Sequence, residues 1–372
     1  MMQAGNSEIK PALLFMPDIS GFTSFVNDTE IRHSQHIVKE LLEILLDSNP
    51  LKMQVNEVEG DAILFYKAGV RPALNDLLKQ VELMYINFNR HLQLYHHQRI
   101  CNCGACQSAI NLKLKIIAHY GEVMQYDLKQ HNKLFGRDVI VIHRLLKNNV
   151  EHDEYLLMTE PLINAYNLDS GPSWFDANKA TENYDVGEIN IYFSVLSKLR
   201  QQVPAPEFPV HQLFAGTSIV FSEEGRLSAN MNTIFEVISD LEKRPQWMAG
   251  VKEVEMLNHE KINRIGTQHR CIIGAKGNPV IVTEHATIQQ DKIEMTEMDN
   301  KGMGGCRYCL QQLDPHETQV RFEVLVKRNP FVRVMFNLVM KNKIRKRMRQ
   351  SLINLGHYCA PVTESRSGIQ VK

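Results

Sequence analysis

The chain has 372 residues, of which 44% are hydrophobic and 23% charged, and its formal net charge is +0. This length predicts about two domains, and the composition is that of a globular protein. The balanced charge argues against a nucleic-acid partner, and no apolar run approaches the ~20 residues of a membrane-spanning helix. The first ten residues lack an apolar signal core, so we expect a cytoplasmic protein with no transmembrane segment.

The first half alternates between strand and helix patterns, which predicts an α/β or α+β sandwich with a central sheet, and we favour the α+β class. A strand is expected at residues 11–18, and two strands meeting in a hairpin at Glu59-Gly60-Asp61. Helical spacing of apolar residues and period-two alternation predict the remaining elements: helices at 34–49, 73–97 and 137–148, and strands at 110–123, 154–159 and 188–196.

Three prolines within the sequence "PAPEFP" mark residues 199–212 as an extended linker. We therefore divide the chain into a first domain at 1–198, this linker, a second domain at 213–361 and a tail at 362–372.

The second half begins with a helix and a tryptophan-containing turn at 231–248 and ends with a long helix at 329–359. Six strand patterns lie between them, at 251–257, 266–274, 279–290, 292–299, 304–314 and 318–327. A sheet that packs on one long helix often leaves a cavity between the two.

Two acidic residues interrupt apolar strands in the first half. Asp18 ends the run "ALLFMPD", and Asp61 lies at the tip of the predicted hairpin. If these strands are neighbours, both carboxylates converge at one end of the sheet, where they would hold Mg²⁺ against phosphate oxygens. A pair of such ions would activate a hydroxyl group and stabilise a leaving pyrophosphate. The other interpretation is that Asp18 caps the following helix and Asp61 serves the turn.

Four segments resemble the motifs of class III nucleotide cyclases, in the order of that family. They are "FMPDISGFTSFV", "EVEGDAILFY", "HYGEV" and "KLFGRDVIVIHRLLKN", and they span residues 12 to 148. The resemblance implies a ferredoxin-like cyclase fold, an active site formed between two copies of the chain, and Mg²⁺ or Mn²⁺ as cofactor.

The same resemblance assigns roles to individual residues. The metal-binding set is Asp18, Ile19 and Asp61, and Gly21, Phe22 and Thr23 belong to the backbone that would cradle the triphosphate. Arg144 matches the arginine that stabilises the transition state. Such an arginine neutralises charge that builds on phosphate oxygens.

Three further positions correspond to those at which the family recognises the base and the ribose of the nucleotide. Glu57 falls where guanylate-specific members have a glutamate. Lys133 replaces the usual aspartate or cysteine, and Ile140 replaces the asparagine that orients the ribose. Because isoleucine has no hydrogen-bonding group, we expect binding of a nucleotide or polyphosphate with weak or no cyclisation.

Three cysteines lie close together in "HHQRICNCGACQS". Cys101, Cys103 and Cys106 are soft ligands suited to Zn²⁺, and His97, a residue from a distant segment or one from a partner chain would supply the fourth ligand. The other interpretation is a loop with ordinary thiols. Cys306 and Cys309 are expected to be ordinary strand residues, because positions i and i+3 of a strand face opposite sides.

The segment "IFEVISDLEKRPQWMAGVKEVEML", followed by "IGTQHRC", resembles the START-like (polyketide cyclase and lipid-transfer) superfamily. This resemblance covers about residues 217 to 360 and implies a helix-grip fold that holds a small hydrophobic ligand under the last helix. The candidate lining residues are Trp247, Met248, Phe331, Met335 and Leu338, although each of them is equally consistent with an ordinary core.

The closing helix carries the basic cluster "KNKIRKRMRQ" and apolar residues at helical spacing: Val334, Met335, Leu338, Val339, Ile344, Met348 and Leu352. This pattern fits a helix that lies on a membrane surface, or a solvated basic face above a buried apolar stripe. We favour the buried stripe.

Three functions remain open at this point. The protein is a sensor or binding module with a divergent cyclase-like domain, an active purine nucleotide cyclase regulated by its second domain, or an enzyme that works through the second cavity. We favour the first.

Overall fold

The computed structural model describes residues 8–29, 31–100, 103–128, 131–168, 171–205, 213–257, 263–274 and 277–360. The chain folds into two units. The first unit comprises Met1–Tyr95 and Gln107–Pro206, and the second comprises His96–Cys106 and Glu207–Lys372.

The first unit is built on one eight-stranded sheet. Its strands are β1 Ile9–Ser20, β2 Gln54–Glu59, β3 Ala62–Ala68, β4 Lys113–Leu128, β5 His131–Phe135, β6 Tyr155–Thr159, β7 Asn178–Tyr184 and β8 Gly187–Val195. The helices in this part of the chain are α1 Phe22–Asn27, α2 Ile31–Asp47, α3 Leu74–Gln98, α4 Gly104–Ser108, α5 Arg137–Leu145 and α6 Glu160–Ile163.

The sheet order is β2-β3-β1-β4-β6-β8-β7, and β5 pairs with β4. β1 is antiparallel to both β3 and β4, and β2 is antiparallel to β3. Helices lie in the chain between β1 and β2 and between β3 and β4, so these four strands have the order and connections of a ferredoxin-like βαββαβ motif. The predicted α+β class is confirmed.

Apolar strand faces form the core of the first unit. β1 is buried continuously from Ala12 to Ile19 because it is central in the sheet. Leu14, Leu64 and Ile117 from three adjacent strands belong to one cluster with residues of α5. The core therefore holds the ends of β1, β3 and β4 in fixed positions.

The second unit contains a seven-stranded antiparallel sheet in the order β10-β11-β12-β13-β14-β15-β9. Its strands are β9 Thr217–Leu227, β10 Glu253–Met256, β11 Gln268–Ile272, β12 Val280–Ile288, β13 Lys292–Asp299, β14 Gly304–Asp314 and β15 Glu317–Lys327. Its helices are α7 Met231–Ser239, α8 Arg244–Trp247, α9 Pro330–Met335 and α10 Lys341–Cys359, with a π-helical segment Phe336–Met340 between the last two.

The core of the second unit packs α7, α8 and the end of α10 against the sheet. Trp247, Tyr308 and Phe322 contact one another through their rings and are almost fully buried. Ile100 belongs to the same cluster, so part of the segment between α3 and β4 is built into the second unit.

The apolar stripe expected along the last helix is buried only in its second half. Leu352 is fully buried, whereas Val334, Met335, Leu338 and Val339 are all exposed. The expectation of a continuous buried stripe is wrong, because the sheet accepts only Phe336 from the π-helical segment.

A 3₁₀ helix at Leu196–Gln202 continues into the first residues of the predicted linker. Residues 206–212 of that linker and the whole predicted tail at 362–372 lie outside the described residues. Within the described ranges, no helix is long and apolar enough to cross a membrane.

Candidate functional site

Strand β1 carries Asp18 to the end of the sheet in the first unit. Asp18 is only 7% exposed, and its register partners are Ala62 on β3 and Lys115 on β4. The ammonium group of Lys115 lies 3.0 Å from Asp18 Oδ2. A buried carboxylate requires such a counter-charge, because transfer of an unpaired charge from water is costly.

Asp61 lies in the turn between β2 and β3, beside Asp18. Gly60 adopts φ 58°, a left-handed conformation that glycine reaches without strain. The amide of Ile19 donates a hydrogen bond to the carbonyl of Asp61 at 3.2 Å, which joins the turn to the end of β1. The side chains of Asp18 and Asp61 therefore line the same cleft.

The two carboxylates are incompletely compensated. Burial raises the pKa of Asp18, and Lys115 offsets only part of this effect. Burial and the charge of Asp18 together raise the pKa of Asp61 to about 6. One ammonium group thus serves two carboxylates, and additional positive charge in the cleft would be favourable.

The cleft has a volume of about 700 Å³. One wall is formed by Gly21, which connects β1 to α1, and by Phe22 and Thr23 at the start of α1; these three residues are predicted to bind nucleotide. Gly21 adopts φ 87°, so the chain reverses direction immediately after the strand. The opposite wall contains Asn148, Val150, His152, Asp153 and Tyr155.

Lys115 is a site residue that the sequence reasoning missed. It lies two residues inside β4 and projects toward Asp18 and the carbonyl of Leu146, 3.1 Å from its Nζ. The alternating pattern at the start of β4 was visible in the sequence, but the register that places Lys115 opposite Asp18 was not.

Glu57 and Lys133, the two predicted base-selecting residues, meet in a different cluster. Lys133 Nζ donates a hydrogen bond to Glu57 Oε2 at 2.7 Å, and His143 Nε2 lies 3.2 Å from Glu57 Oε1. The hydrogen bond to Glu57 raises the pKa of Lys133. Neither residue lines the cleft of Asp18 and Asp61.

Arg144 is also separate from the two aspartates. It lies in the last turn of α5 and makes a two-point ion pair with Asp185, with distances of 2.9 and 2.8 Å. Its side chain is half exposed, and Ile140, one turn earlier, is 49% exposed. The structure therefore does not bring Arg144 to Asp18 within one chain.

Residues of the segments "HYGEV" and "KLFGRDVIVIHRLLKN" contact one another. His119 is buried between Thr159 Oγ1 and Asp138 Oδ1, at 2.7 and 3.1 Å. A Cβ atom on Gly121 would lie 2.2 Å from the carboxyl group of Asp138. Glycine is therefore required for α5 to approach β4 this closely.

The cysteine segment is only partly described. Cys101 lies outside the described residues, whereas Cys103 and Cys106 are buried, and the Cys106 amide lies 3.5 Å from Cys103 Sγ. Cys106 is in the short helix α4 rather than in a loop. Two adjacent thiols could supply half of a zinc site, so zinc binding stays a prediction.

The second unit encloses a cavity of about 900 Å³ between its sheet and its last helices. Met248, Phe331 and Met335 line it, and their contact with a hydrophobic ligand stays a prediction. Trp247 is instead fully buried in the core, because its ring packs on Tyr308 and Phe322. Leu338 is 78% exposed, since it lies on the outer side of the π-helical segment.

A buried ion pair forms one wall of this cavity. Arg244 binds Glu297 at 2.7 and 2.8 Å, Tyr308 donates a hydrogen bond to Glu297 at 3.1 Å, and His269 Nε2 lies 2.9 Å from Arg244. Burial alone would raise the pKa of Glu297, but the charge of Arg244 lowers it below its ordinary value. Burial lowers the pKa of His269 to about 4, so this ring is neutral at pH 7.

One protein family and one individual protein match parts of the chain. Residues 38–155 match a family described as "Protein of unknown function (DUF2652)". The uncharacterized protein Rv2561/Rv2562 of Mycobacterium tuberculosis (strain ATCC 25618 / H37Rv) is 31% identical to this chain over 176 residues, which are 47% of this chain and 79% of that protein.

Several solved structures are similar to about half of the chain. The guanylyl cyclase Cya2 is 15% identical with a TM-score of 0.37, covering 50% of this chain and 93% of that one. The adenylyl cyclase CyaB from P. aeruginosa is 15% identical with a TM-score of 0.37, covering 51% and 96%. The guanylate cyclase domain of RhGC from Catenaria anguillulae, in complex with GTP, is 15% identical with a TM-score of 0.37, covering 51% and 98%. We draw no functional conclusion from similarities at this level.

Proposed function

This chain belongs to the family of the Mycobacterium tuberculosis protein Rv2561/Rv2562, and we propose that its first unit binds Mg²⁺ or Mn²⁺ together with a purine nucleotide or polyphosphate. In this proposal the unit is a divergent relative of the class III nucleotide cyclases that cyclises the nucleotide weakly or not at all.

One observation carries the proposal. Asp18 and Asp61 line one cleft at the ends of neighbouring strands, and their mutual repulsion contributes to a pKa of about 6 at Asp61. Carboxylates that only cap a helix or shape a turn would not need to be brought together in this way. A carboxyl group in a cleft whose pKa is strongly perturbed by burial and by a second charge is a candidate functional group.

The donor set fits a hard divalent cation. Asp18, Asp61 and the carbonyl of Ile19 offer oxygen ligands, which Mg²⁺ and Mn²⁺ prefer. A bound ion would act there as a Lewis acid toward phosphate oxygens. Lys115 would provide a further positive charge on the same side of the cleft, 3.0 Å from Asp18.

Weak cyclisation is proposed because the groups needed for the base and the transition state are already paired within the chain. Glu57 is held by Lys133, and Arg144 is held at two points by Asp185. Glu57 would have to give up a charge-assisted hydrogen bond, and Arg144 would have to turn away from Asp185, before either could serve a nucleotide. Ile140 offers no hydrogen bond to a ribose.

A homodimer is part of this proposal. Asp18 and Asp61 line the cleft, whereas Glu57, Lys133 and Arg144 are absent from its lining. A second copy of the chain would have to present those residues if one nucleotide is to meet all of them.

The test is to measure binding and turnover in the same preparation. We expect ATP or GTP to bind only with Mg²⁺ or Mn²⁺ by calorimetry, and mass spectrometry to detect little or no cyclic nucleotide. Asp18→Asn should abolish the metal-dependent binding, whereas Asp76→Asn should retain it. Asp76 is the matched control, since it is an exposed aspartate on α3 of the same unit.

The outcomes separate the candidate functions. Robust cyclic GMP or cyclic AMP that is lost in Asp18→Asn would establish the alternative, an active purine nucleotide cyclase. Absence of metal-dependent binding, or equal binding by the two variants, would overturn the proposal for the first unit.

For the second unit we propose a START-like module that holds a small, mainly hydrophobic ligand as a sensory input. Its cavity of about 900 Å³ is lined largely by aliphatic and methionine side chains and has the polar pair Arg244 and Glu297 in one wall. A pocket of this size and composition suits a small molecule that is apolar over most of its surface and carries an oxygen-bearing group.

This second proposal is tested by extracting the purified protein with organic solvent and analysing the extract by mass spectrometry. Val324→Phe, which places a larger side chain in the cavity wall, should reduce the amount of recovered small molecule, whereas Val70→Phe at an exposed site should not. Equal recovery from both variants would contradict the assignment.

A further inference from the structure

The helical segment that covers the second cavity exposes an unusual number of large apolar side chains. We define the cap surface as the exposed large apolar residues of this segment: Phe331, Val334, Met335, Leu338, Val339 and Met340. All six are exposed, and Phe331 and Leu338 are 75% and 78% exposed. Contiguous apolar surface of this kind usually marks an interaction site.

The segment is firmly attached to the protein on its other side. Phe336 is buried, stacks on Phe221 of β9, and belongs to a cluster with Val324 and Val326 of β15. Asn329 caps the start of α9 by accepting hydrogen bonds from the amides of Phe331 and Val332. The cap surface is therefore presented by a helix whose orientation is fixed.

The charged residues of the segment that carries the cap surface all have one sign. Residues 327–349 contain nine lysines and arginines and no aspartate or glutamate, although the whole chain has a net charge of +0. Arg345 and Arg349 turn inward to Glu223 of β9. Arg333, Lys343 and Lys346 are exposed and form no ion pair among the described residues.

We propose that the cap surface docks on an anionic lipid bilayer. The apolar residues would enter the boundary between headgroups and acyl chains, while Arg333, Lys343 and Lys346 would contact the negatively charged headgroups. This combination of a fixed apolar helix face with flanking basic residues is the pattern of an interfacial helix. Four of its residues, Phe331, Met335, Val339 and Met340, also line the cavity, so the docked face includes the cavity mouth.

A second copy of the chain is a less suitable occupant. In a two-fold contact through this face, each copy would present the same basic residues to the other. Such like charges repel, whereas an anionic bilayer neutralises them. The proposal does not depend on nucleotide binding by the first unit.

The experiment is co-sedimentation of the full chain with vesicles of phosphatidylcholine alone and with vesicles in which about a third of the lipid is phosphatidylglycerol. We expect binding to the phosphatidylglycerol vesicles, weakening as salt is added, and little binding to phosphatidylcholine alone. Leu338→Asp/Val339→Asp should weaken binding about tenfold or more.

Control variants distinguish this surface from general properties of the protein. Leu257→Asp/Leu313→Asp alters two exposed leucines elsewhere in the second unit and should bind as the wild type does. Lys343→Glu/Lys346→Glu should weaken binding at least about 25-fold, from roughly fivefold for each removed charge. Lys252→Glu/Lys301→Glu makes the same change of charge at two other exposed lysines and should have little effect.

Three results would overturn the proposal. They are failure of the wild type to bind phosphatidylglycerol vesicles, equal loss of binding in the cap-surface and control variants, and equal binding to both kinds of vesicle. If light scattering instead shows a dimer that dissociates in Leu338→Asp/Val339→Asp, the occupant is a second copy. Circular dichroism of each variant establishes that it is folded.

Discussion

Asp18 in the first unit and Glu297 in the second are buried and Asp61 in the first is half-buried, but the pKa values of the two aspartates are raised and that of Glu297 is lowered. Burial raises the pKa of any carboxyl group, so the opposite directions come from the neighbours. Glu297 receives two hydrogen bonds from Arg244 and one from Tyr308. The two aspartates share the single ammonium group of Lys115.

This difference separates a structural ion pair from a ligand site. A buried carboxylate whose charge is matched by a hydrogen-bonded guanidinium is destabilised by the loss of that partner, and adding another cation gains nothing. Two carboxylates that share one counter-charge destabilise the folded state until a further cation binds to them. The comparison therefore predicts opposite effects on stability. Removing one partner of the buried ion pair should destabilise the second unit, whereas removing one of the two aspartate charges should stabilise the first.

The largest effect is expected from removing the partner of Glu297. Arg244→Met should lower the free energy of unfolding of the second unit by about 3–5 kcal/mol, because it leaves an uncompensated buried carboxylate. Urea unfolding can be followed by the fluorescence of Trp247 in a Trp174→Phe background, since the chain contains only two tryptophans. The double variant Arg244→Met/Glu297→Leu should be less damaged than the single one. If the double variant is the less stable of the two, the buried charge is not the cause.

The opposite sign is expected at Asp61. Its folded-state pKa of about 6 lies above the ordinary 3.8, so its contribution to stability is greatest at low pH and is lost as pH rises through about 6. Asp61→Asn should therefore stabilise the metal-free protein at pH 7, by about 1 kcal/mol after allowance for partial exposure. The measurement is the urea midpoint at pH 7 for both proteins.

Glu297→Gln is the matched variant for this prediction, because it also replaces a carboxylate by an amide. It should destabilise the protein, since the amide cannot satisfy Arg244. A shift in the same direction for Asp61→Asn and Glu297→Gln would break the distinction between the two sites.

Metal binding should depend on pH in the range set by Asp61. A proton and a cation compete for the same carboxylate, so Mn²⁺ affinity should fall roughly tenfold between pH 7 and pH 5. Calorimetric titration of Mn²⁺ at several pH values checks this. His152 also lines the cleft and carries an ionisable imidazole, so the profile should be repeated with His152→Gln. Loss of the pH dependence in His152→Gln would assign it to the imidazole instead.

Much of the first unit could be predicted from local sequence. Gly60 and the strands around it indicated a hairpin, which the structure confirms as β2 and β3. The ends of β1 and β3 are adjacent as expected, because the ferredoxin-like order places β3 beside β1. Lys115 was missed because its role depends on the register between β1 and β4, which no local pattern specifies.

The second unit was harder to predict in the segments where polar residues are buried or apolar residues are exposed. Strand β9 was missed because Glu223, Glu224 and Arg226 interrupt its apolar residues, yet Glu223 is buried beneath Arg345 and Arg349. Helical spacing identified the last helix but not its exposed half. The helical spacing of apolar residues predicts which residues share one face of the helix. Whether that face is buried depends on the sheet that packs against it, which the spacing does not predict.

The smallest effect is expected at the exposed ion pair of the first unit. Arg144 and Asp185 are 50% and 62% exposed, so water solvates both charges with or without the pair. Arg144→Ala should leave the thermal midpoint unchanged.

Arg200→Ala is the informative comparison, because Arg200 binds Glu154, whose side chain is only 7% exposed, at 2.8 Å. That variant should unfold at a clearly lower temperature, since it leaves a buried carboxylate without its guanidinium. Equal midpoints for the two variants would mean that burial of the acidic partner does not decide the outcome, and the contrast between Glu297 and the cleft aspartates would lose its physical basis.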